Sequence, residues 1–498
     1  MGKYFERLCE LNKKAAAYTA IMNMFDYDTQ TTAPKKADEY TSSIIGIIAN
    51  EYHDIFTGKE AARLIKKCVG EYEKGYLDDW EAAILKEYVR TYNRLAPVPG
   101  DEYVQFKELT AKSVNVWSSA KHNNSFEEFA PMLKDIIEWK QKFAGYRKMA
   151  GQKEYDVLLG DYEPDFNEEI LDEIFGEIKK KVLPVVKKYM SGEYKKEEDA
   201  FLADDADKNK LKQLCDYLPD YLGFDKECGV ISESEHPFTI NIHKKDVRMT
   251  NSFSNSDFFG PVFSIIHETG HALYEQGIDD AFAMTILGEG TSMGMHETIS
   301  RLYENMIGKN EFFWKPLMKK VRELYGSEME NVTDEQFMAK MNEVNAGVVR
   351  VDSDELFYPF HIIIRYELEK KLISGKMKTE DLKNEWNRLY KEYIGKEPEN
   401  DAEGVLQDVH WATGEFGYFP SYVIGSAAAV QIYHHLKEAL PLDTCLKEGK
   451  LSYISNYLRK NVFRYGKSLG LNDILLKMTG EQFNIKYYTD YLCEKYGE

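Results

Sequence analysis

The segment His267-Glu268-Thr269-Gly270-His271 offers two imidazoles and a carboxylate within five positions. On a helix, His267 and His271 lie one turn apart on one face and can present two nitrogens to a single metal ion. Glu268, beside the first of them, is placed to reach a water at that ion without joining its coordination shell. The flanking Phe263, Ile265, Ile266, Ala272 and Leu273 make this a buried helix, where an unpaired Glu268 would be costly. Two core histidines that fell at this spacing by accident do not explain such a glutamate; a metal and its water do. The chemistry implied is zinc-type hydrolysis, which calls for a third protein ligand and one open position.

The elements around the motif must position it. Asn255, Ser256 or Asp257 can cap the start of the helix, Pro261 is tolerable only near its first turn, and Gly277 is a stop. Just before it, Gly229-Val230-Ile231, Phe238 to Ile242 and Asp246 to Thr250 alternate with β-branched residues and predict a small sheet. That sheet either pairs its free edge with an extended peptide or only braces the helix. A second helix, predicted over Ser292 to Ile307, supplies the third ligand. Glu297 lies 26 residues beyond His271, enough for a loop and a return. His296 and Glu304 compete with it. His296 points about a hundred degrees away; Glu304 shares the face of Glu297 two turns on, where it can support a ligand or pair with Arg301.

Up to about Met190 the chain reads as successive helices, among them Leu8–Met24, Asp38–His53 and Asp79–Leu95, the last ended by Ala96-Pro97-Val98-Pro99-Gly100. Ser125 and Glu128 resemble a capping box, and Asn167–Met190 is a long amphipathic helix with Pro184 as a kink point. The charged stretch Tyr194–Lys210 reads as solvated surface. A further helix is predicted over Tyr358–Ser374. Across 498 residues the net charge is −20, which argues against nucleic acid or an anionic membrane as partner. Six scattered cysteines without a CxxC pair read as free thiols of a reducing compartment. With no signal peptide and no apolar run of membrane-spanning length, the expectation is a cytoplasmic protein.

Further short motifs follow in order: His236-Pro237-Phe238, Asp246-x-Arg248-x-Thr250, His296-Glu297, Arg350-x-x-Ser353-Asp354, Gly404-x-x-Gln407-Asp408-x-His410-Trp411 and Gly417-Tyr418-Phe419-Pro420-Ser421-Tyr422. Together with the zinc motif they resemble the M32 family of metallocarboxypeptidases, the thermostable carboxypeptidase group. The chain departs from that pattern at Thr298 and Ile299, where the family has Ser or Gly and then Gln, and at Val349, where it has Ile or Asn. Ile299 removes a polar side chain near the site.

The resemblance implies a mostly α, elongated helical metallopeptidase. It has a deep substrate groove, a zinc or cobalt ion at its base, a small sheet beside the zinc helix and often a homodimeric assembly. One peptidase domain is expected, with residues to about 220 as a helical part over the groove and the remainder as the zinc-binding catalytic part. It implies release of single C-terminal residues from peptides with broad preference, Pro being resisted. Glu268 is then the general base. His410 and Tyr418, with Tyr422 behind them, are candidates to donate to the oxyanion. Arg350 leads the candidates for the substrate carboxylate, with Arg248 and His236 next. The alternative for Arg350 is a salt bridge to Asp352 or Asp354, and Asp354, Gln407 and Asp408 are candidates to orient such groups. Two other readings stand beside this one: a zinc oligopeptidase cutting internally, and a peptide-binding scaffold without turnover. The intact Glu268 argues against the second, since binding alone needs no general base.

Overall fold

A computed structural model describes residues 2–192, 206–253 and 257–497. It is 69% helical and, among the described residues, has one three-stranded sheet, the mostly α architecture expected. Among the described residues no helix is long and apolar enough to cross a membrane, and all six cysteines are free thiols. Two compact units each draw on separated stretches of chain: 1–95, 197–342 and 428–483 form the first, and 96–196, 343–427 and 484–498 the second. One boundary falls in the Pro- and Gly-containing breaker after Leu95, where two prolines each remove a backbone donor.

In the first unit, helices Lys3–Thr31, Asp38–Thr57, Lys59–Tyr72 and Asp79–Leu95 bury Phe5, Leu8, Phe56, Leu64 and Tyr88 in one core. The sheet runs in the order β1 (Gly229–Glu233), β3 (Asp246–Asn251), β2 (Thr239–His243). β1 is parallel to β3 with Val230 opposite Arg248, and β2 is antiparallel to it with Ile240 opposite the same residue. The helix Phe259–Gly277 packs on this sheet: Val247 and Met249 are fully buried, and the Thr269 hydroxyl donates to the Met249 sulfur at 3.9 Å. Pro261 is the third helical residue, so its missing N–H costs nothing. The Asp257 carboxylate accepts the Gly260 N–H at 2.6 Å; Asn255 and Ser256 lie outside the described residues.

The second unit pairs Gly100–His122 with Phe126–Arg147 and holds the buried helix Tyr358–Ile373. Ser125 is the N-cap of its helix but makes no side-chain cap, so the capping box is not formed. Asn167 does cap, accepting the Ile170 N–H at 2.9 Å. The long helix beyond it is two, Glu168–Lys181 and Leu183–Met190, because Pro184 has no N–H to continue the ladder. Most of the lysine-rich stretch after Tyr194 lies outside the described residues.

Candidate active site

The helix carrying His267 and His271 crosses Met293–Arg301, whose start is capped by Ser292 accepting the Met295 N–H at 3.1 Å. This apposition brings together the candidate ligand atoms of His267, His271 and Glu297, all within 4.8 Å of one another. Glu297 Oε1 stands 3.9 Å from Nε2 of each histidine. Two ligands about 2.1 Å from a tetrahedral zinc ion are about 3.4 Å apart, so Glu297 needs to close on each histidine by about half an ångström. Two imidazoles and one carboxylate with nothing else in the trio fit a divalent cation that keeps an open position. Close approach of the helices depends on Gly270. A Cβ there would lie 2.7 Å from Ser300 Cα and 3.0 Å from the Ile299 carbonyl oxygen.

Each histidine is held from behind. His267 Nδ1 meets Glu304 Oε2 at 2.7 Å, and Arg301 donates to the same oxygen at 2.9 Å. Glu304 sits in a π-helical turn, Leu302–Ile307, that continues the ligand helix. Burial would raise the Glu304 carboxyl, but Arg301 and His267 override it and hold it down at about 2. Glu304 thus meets His267 and pairs with Arg301 through the same oxygen. His271 Nδ1 meets His296 Nδ1 at 3.3 Å, so His296 faces the back of His271 and not the candidate trio. Glu268 is 7% exposed, and burial pushes its carboxyl up. Its Oε2 accepts the Thr239 hydroxyl at 2.6 Å.

In the second unit the polar groups of the later sequence motifs gather around Asp408. Arg350, 7% exposed, donates Nε and Nη2 to Asp408 Oδ1 at 3.0 and 2.9 Å and Nη1 to the Tyr358 hydroxyl at 3.1 Å. Its ion-pair partner is thus Asp408 and neither Asp352 nor Asp354; Asp354 instead caps Leu356 and Phe357. Arg365, fully buried, takes the other oxygen of Asp408 at 2.7 Å and donates to Gln407 Oε1 at 2.7 Å. Burial works to raise the Asp408 carboxyl, but the two guanidiniums hold it well below the usual carboxylate range. Tyr422 lies under the Arg350 guanidinium, 4.9 Å from ring centre to Cζ, and meets His410 Nε2 at 3.1 Å. Tyr418 stacks on His410 at 5.4 Å. Burial, reinforced by Arg350 and Arg365, lowers the His410 imidazole to about 3 despite Asp408, and its buried Nδ1 has no hydrogen-bond partner among the described residues.

The remaining candidates belong to the first unit. Arg248 on β3 donates Nε and Nη2 to the two oxygens of Asp246, each at 2.8 Å, and lies over the Tyr27 ring. His236 is exposed on the loop before β2.

The family model for carboxypeptidase Taq (M32) metallopeptidases matches residues 7–496. The chain belongs to the M32 metallopeptidase family. It is 36% identical to carboxypeptidase 1 of Bacillus subtilis (strain 168) over 99% of this chain and 98% of that one. Its fold superimposes on the solved structure of Trypanosoma cruzi metallocarboxypeptidase 1 with a TM-score of 0.94, 30% identity and complete coverage of both chains. The Pyrococcus furiosus carboxypeptidase structure is similar at a TM-score of 0.94 and 28% identity, covering 100% of this chain and 99% of that one. This M32 protein is therefore an enzyme, a metallocarboxypeptidase.

Several residues of the M32 chain that shape these clusters escaped the motif reading. Thr239 follows His236-Pro237-Phe238 directly and holds Glu268, yet a strand threonine carries no signal of that task. His361, Arg365 and Glu369 are all fully buried at four-residue spacing on Tyr358–Ile373. Three buried ionisable side chains in one helical row are a readable signal, because each demands a partner. Glu369 finds the Trp411 indole N–H at 2.8 Å, the Gly417 N–H at 2.9 Å and the Tyr155 hydroxyl at 2.9 Å. The row so ties down the segment that carries Asp408 and His410.

Proposed function

We propose that this metallocarboxypeptidase is a zinc enzyme, tolerant of cobalt, that releases single C-terminal amino acids from peptides with broad preference. The observation that carries this reading is the His267–His271–Glu297 trio with a buried Glu268 beside it. Those three residues would hold the ion, which when bound supplies Lewis-acid polarisation of the scissile carbonyl. Glu268, its Oε2 pinned by Thr239, offers Oε1 to take a proton from the attacking water and to hand it to the departing amine. Burial suits it to both tasks, because a carboxyl pushed up gives and takes protons nearer neutral pH. His410 and Tyr418, with Tyr422 behind them, are the proposed donors to the developing oxyanion. Arg350 is the proposed anchor for the substrate carboxylate, its guanidinium oriented by Asp408; Arg248 and His236 are the alternatives. Free thiols throughout suit a cytoplasmic setting, and a homodimer is the assembly the family resemblance implies.

The experiment strips the metal with a chelator, reloads with zinc or cobalt, and compares three substrates: a free peptide, its C-terminal amide, and a peptide blocked at both ends. Residues should be released one at a time from the free peptide, with zinc or cobalt required and the amide resisted. Internal cleavage of the blocked peptide would make the enzyme an oligopeptidase, and stoichiometric metal without turnover would make it a binding scaffold.

A further inference from the structure

The two proposed histidine ligands are backed differently. Behind His267 stands a carboxylate, the common partner of a ligating imidazole. Behind His271 stands another histidine: His296 Nδ1 is 3.3 Å from His271 Nδ1, and His296 Nε2 is 2.7 Å from Glu275 Oε1. Only one proton fits between two facing Nδ1 atoms. If His296 donated it, His271 would carry its own proton on Nε2 and have no lone pair for a metal. The assignment that frees His271 Nε2 has His271 Nδ1–H donating to His296 and His296 Nε2–H donating to Glu275. Glu275 enforces this, since a carboxylate only accepts.

The pocket for this relay is built for it. Glu275, 3% exposed, also accepts the Gly290 N–H at 3.0 Å on Oε1 and the Asn241 amide on Oε2. It cannot turn away from His296 without abandoning these donors. The Tyr274 ring lies 4.9 Å from the His296 ring. Gly290 closes the other side, where a Cβ would stand 2.3 Å from His296 Nε2 and 2.7 Å from the Tyr274 ring. A glycine is required there because any side chain would occupy the imidazole's seat.

We infer that His296 and Glu275 form a proton-orienting relay that fixes the tautomer and ring position of His271, making His296 a positioning residue for metal binding. This rests on His271 being a ligand. The test measures zinc affinity of the full-length protein by chelator competition, with far-UV circular dichroism of the metal-free form as the folding control. His296→Leu fills the space but neither accepts nor donates, and should weaken zinc binding about 10- to 100-fold, the range for loss of such a partner. His296→Gln restores an acceptor and a donor at about the spacing of the ring nitrogens and should recover most of that affinity. Equal losses in the Leu and Gln variants, or wild-type affinity in His296→Leu, would overturn the relay. Should His296→Leu not fold, Glu275→Met, of similar length but without a carboxylate or amide acceptor, decides in its place: weakened zinc binding supports the relay and unchanged binding overturns it. His271→Ala separates the two inferences. If that variant keeps its zinc, the ligand assignment fails; if it loses zinc while His296→Leu does not, only the relay fails.

Discussion

Replacing Gly270 by alanine puts one methyl group between the two helices that carry the candidate ligands. Its Cβ would meet Ser300 Cα at 2.7 Å, the Ile299 carbonyl oxygen at 3.0 Å and the Ser300 nitrogen at 3.2 Å, all of them backbone atoms. Ordinary contact begins at 3.4 Å, so relief at Ser300 Cα alone requires about 0.7 Å of separation, 3.4 minus 2.7. No side chain can swing aside to provide it. Alanine gains about 1 kcal/mol over glycine in helix propensity. Overpacking a close interface costs about 1–3 kcal/mol, so the net effect on the metal-free protein is a loss of up to about 2 kcal/mol. The consequence for the metal is larger. Glu297 sits one turn before Ser300, on the helix that must move away from His267 and His271, while Glu297 must instead close on each histidine by about half an ångström to grip an ion. Gly270→Ala should therefore lose zinc affinity by at least about tenfold while staying folded. The assay is chelator competition together with the melting temperature of the metal-free protein. Wild-type affinity with an unchanged or higher melting temperature would refute the reasoning, because the helices would then be shown to yield without disturbing the trio.

Glu268→Gln should keep full metal content, since Glu268 is outside the trio, and lose turnover by about two to four orders of magnitude, the range of a general base; near-wild-type rates would sink that role. Arg350→Ala should lower kcat/KM on a free peptide by about one to two orders of magnitude, from a charge-assisted hydrogen bond worth about 1.5–3 kcal/mol, and narrow the preference for free acid over amide with zinc content unchanged. Equal losses on acid and amide would make Arg350 purely a partner of Asp408, with Arg248→Ala as the next variant to try. Asp408→Asn should lower the melting temperature markedly at neutral pH, because it leaves Arg350 and Arg365 buried without their anion, a change worth about 3–5 kcal/mol. The sign with pH follows from a folded-state value depressed below the ordinary 3.8: the stabilisation is present above that value and is lost as pH falls further, so wild type and variant should converge on acidification. A gap that does not narrow in acid would contradict the ion-pair account.

What could be read from the sequence was whatever is local. Helix period and breakers delimited Asp79–Leu95 to the residue, and alternation found all three strands, because these depend on neighbours within a few positions. The trio was legible because two members share one turn and the third needed only the next helix. The order of the strands was not, since β3 sits between β1 and β2 through a crossover that local alternation cannot reveal. Nor was the Arg350 partner. Asp352 and Asp354 are near in sequence, yet Asp408 wins from 58 residues away because Arg365 is already there to share it. The interleaving of the two units is equally silent, for a contact between distant segments leaves no mark on either alone.

The departures at Thr298 and Ile299 from the family pattern can be read in packing terms. Neither side chain takes part in the trio. Thr298 is fully buried and donates its hydroxyl to the Gly294 carbonyl at 2.7 Å, one turn back on its own helix, so the change introduces no unsatisfied polar atom. Ile299 is also fully buried. There an isoleucine gains from burial, whereas an amide would need partners for its oxygen and its nitrogen. The part of Ile299 that matters to the site is its backbone. Its carbonyl oxygen lines the narrow gap at Gly270, and any residue in helical conformation supplies that oxygen in the same place. The interface between the ligand helices is thus set by a missing side chain on one helix and bare backbone on the other. That leaves the identity of residue 299 free to vary with the surrounding core, while Gly270 is not free to vary at all.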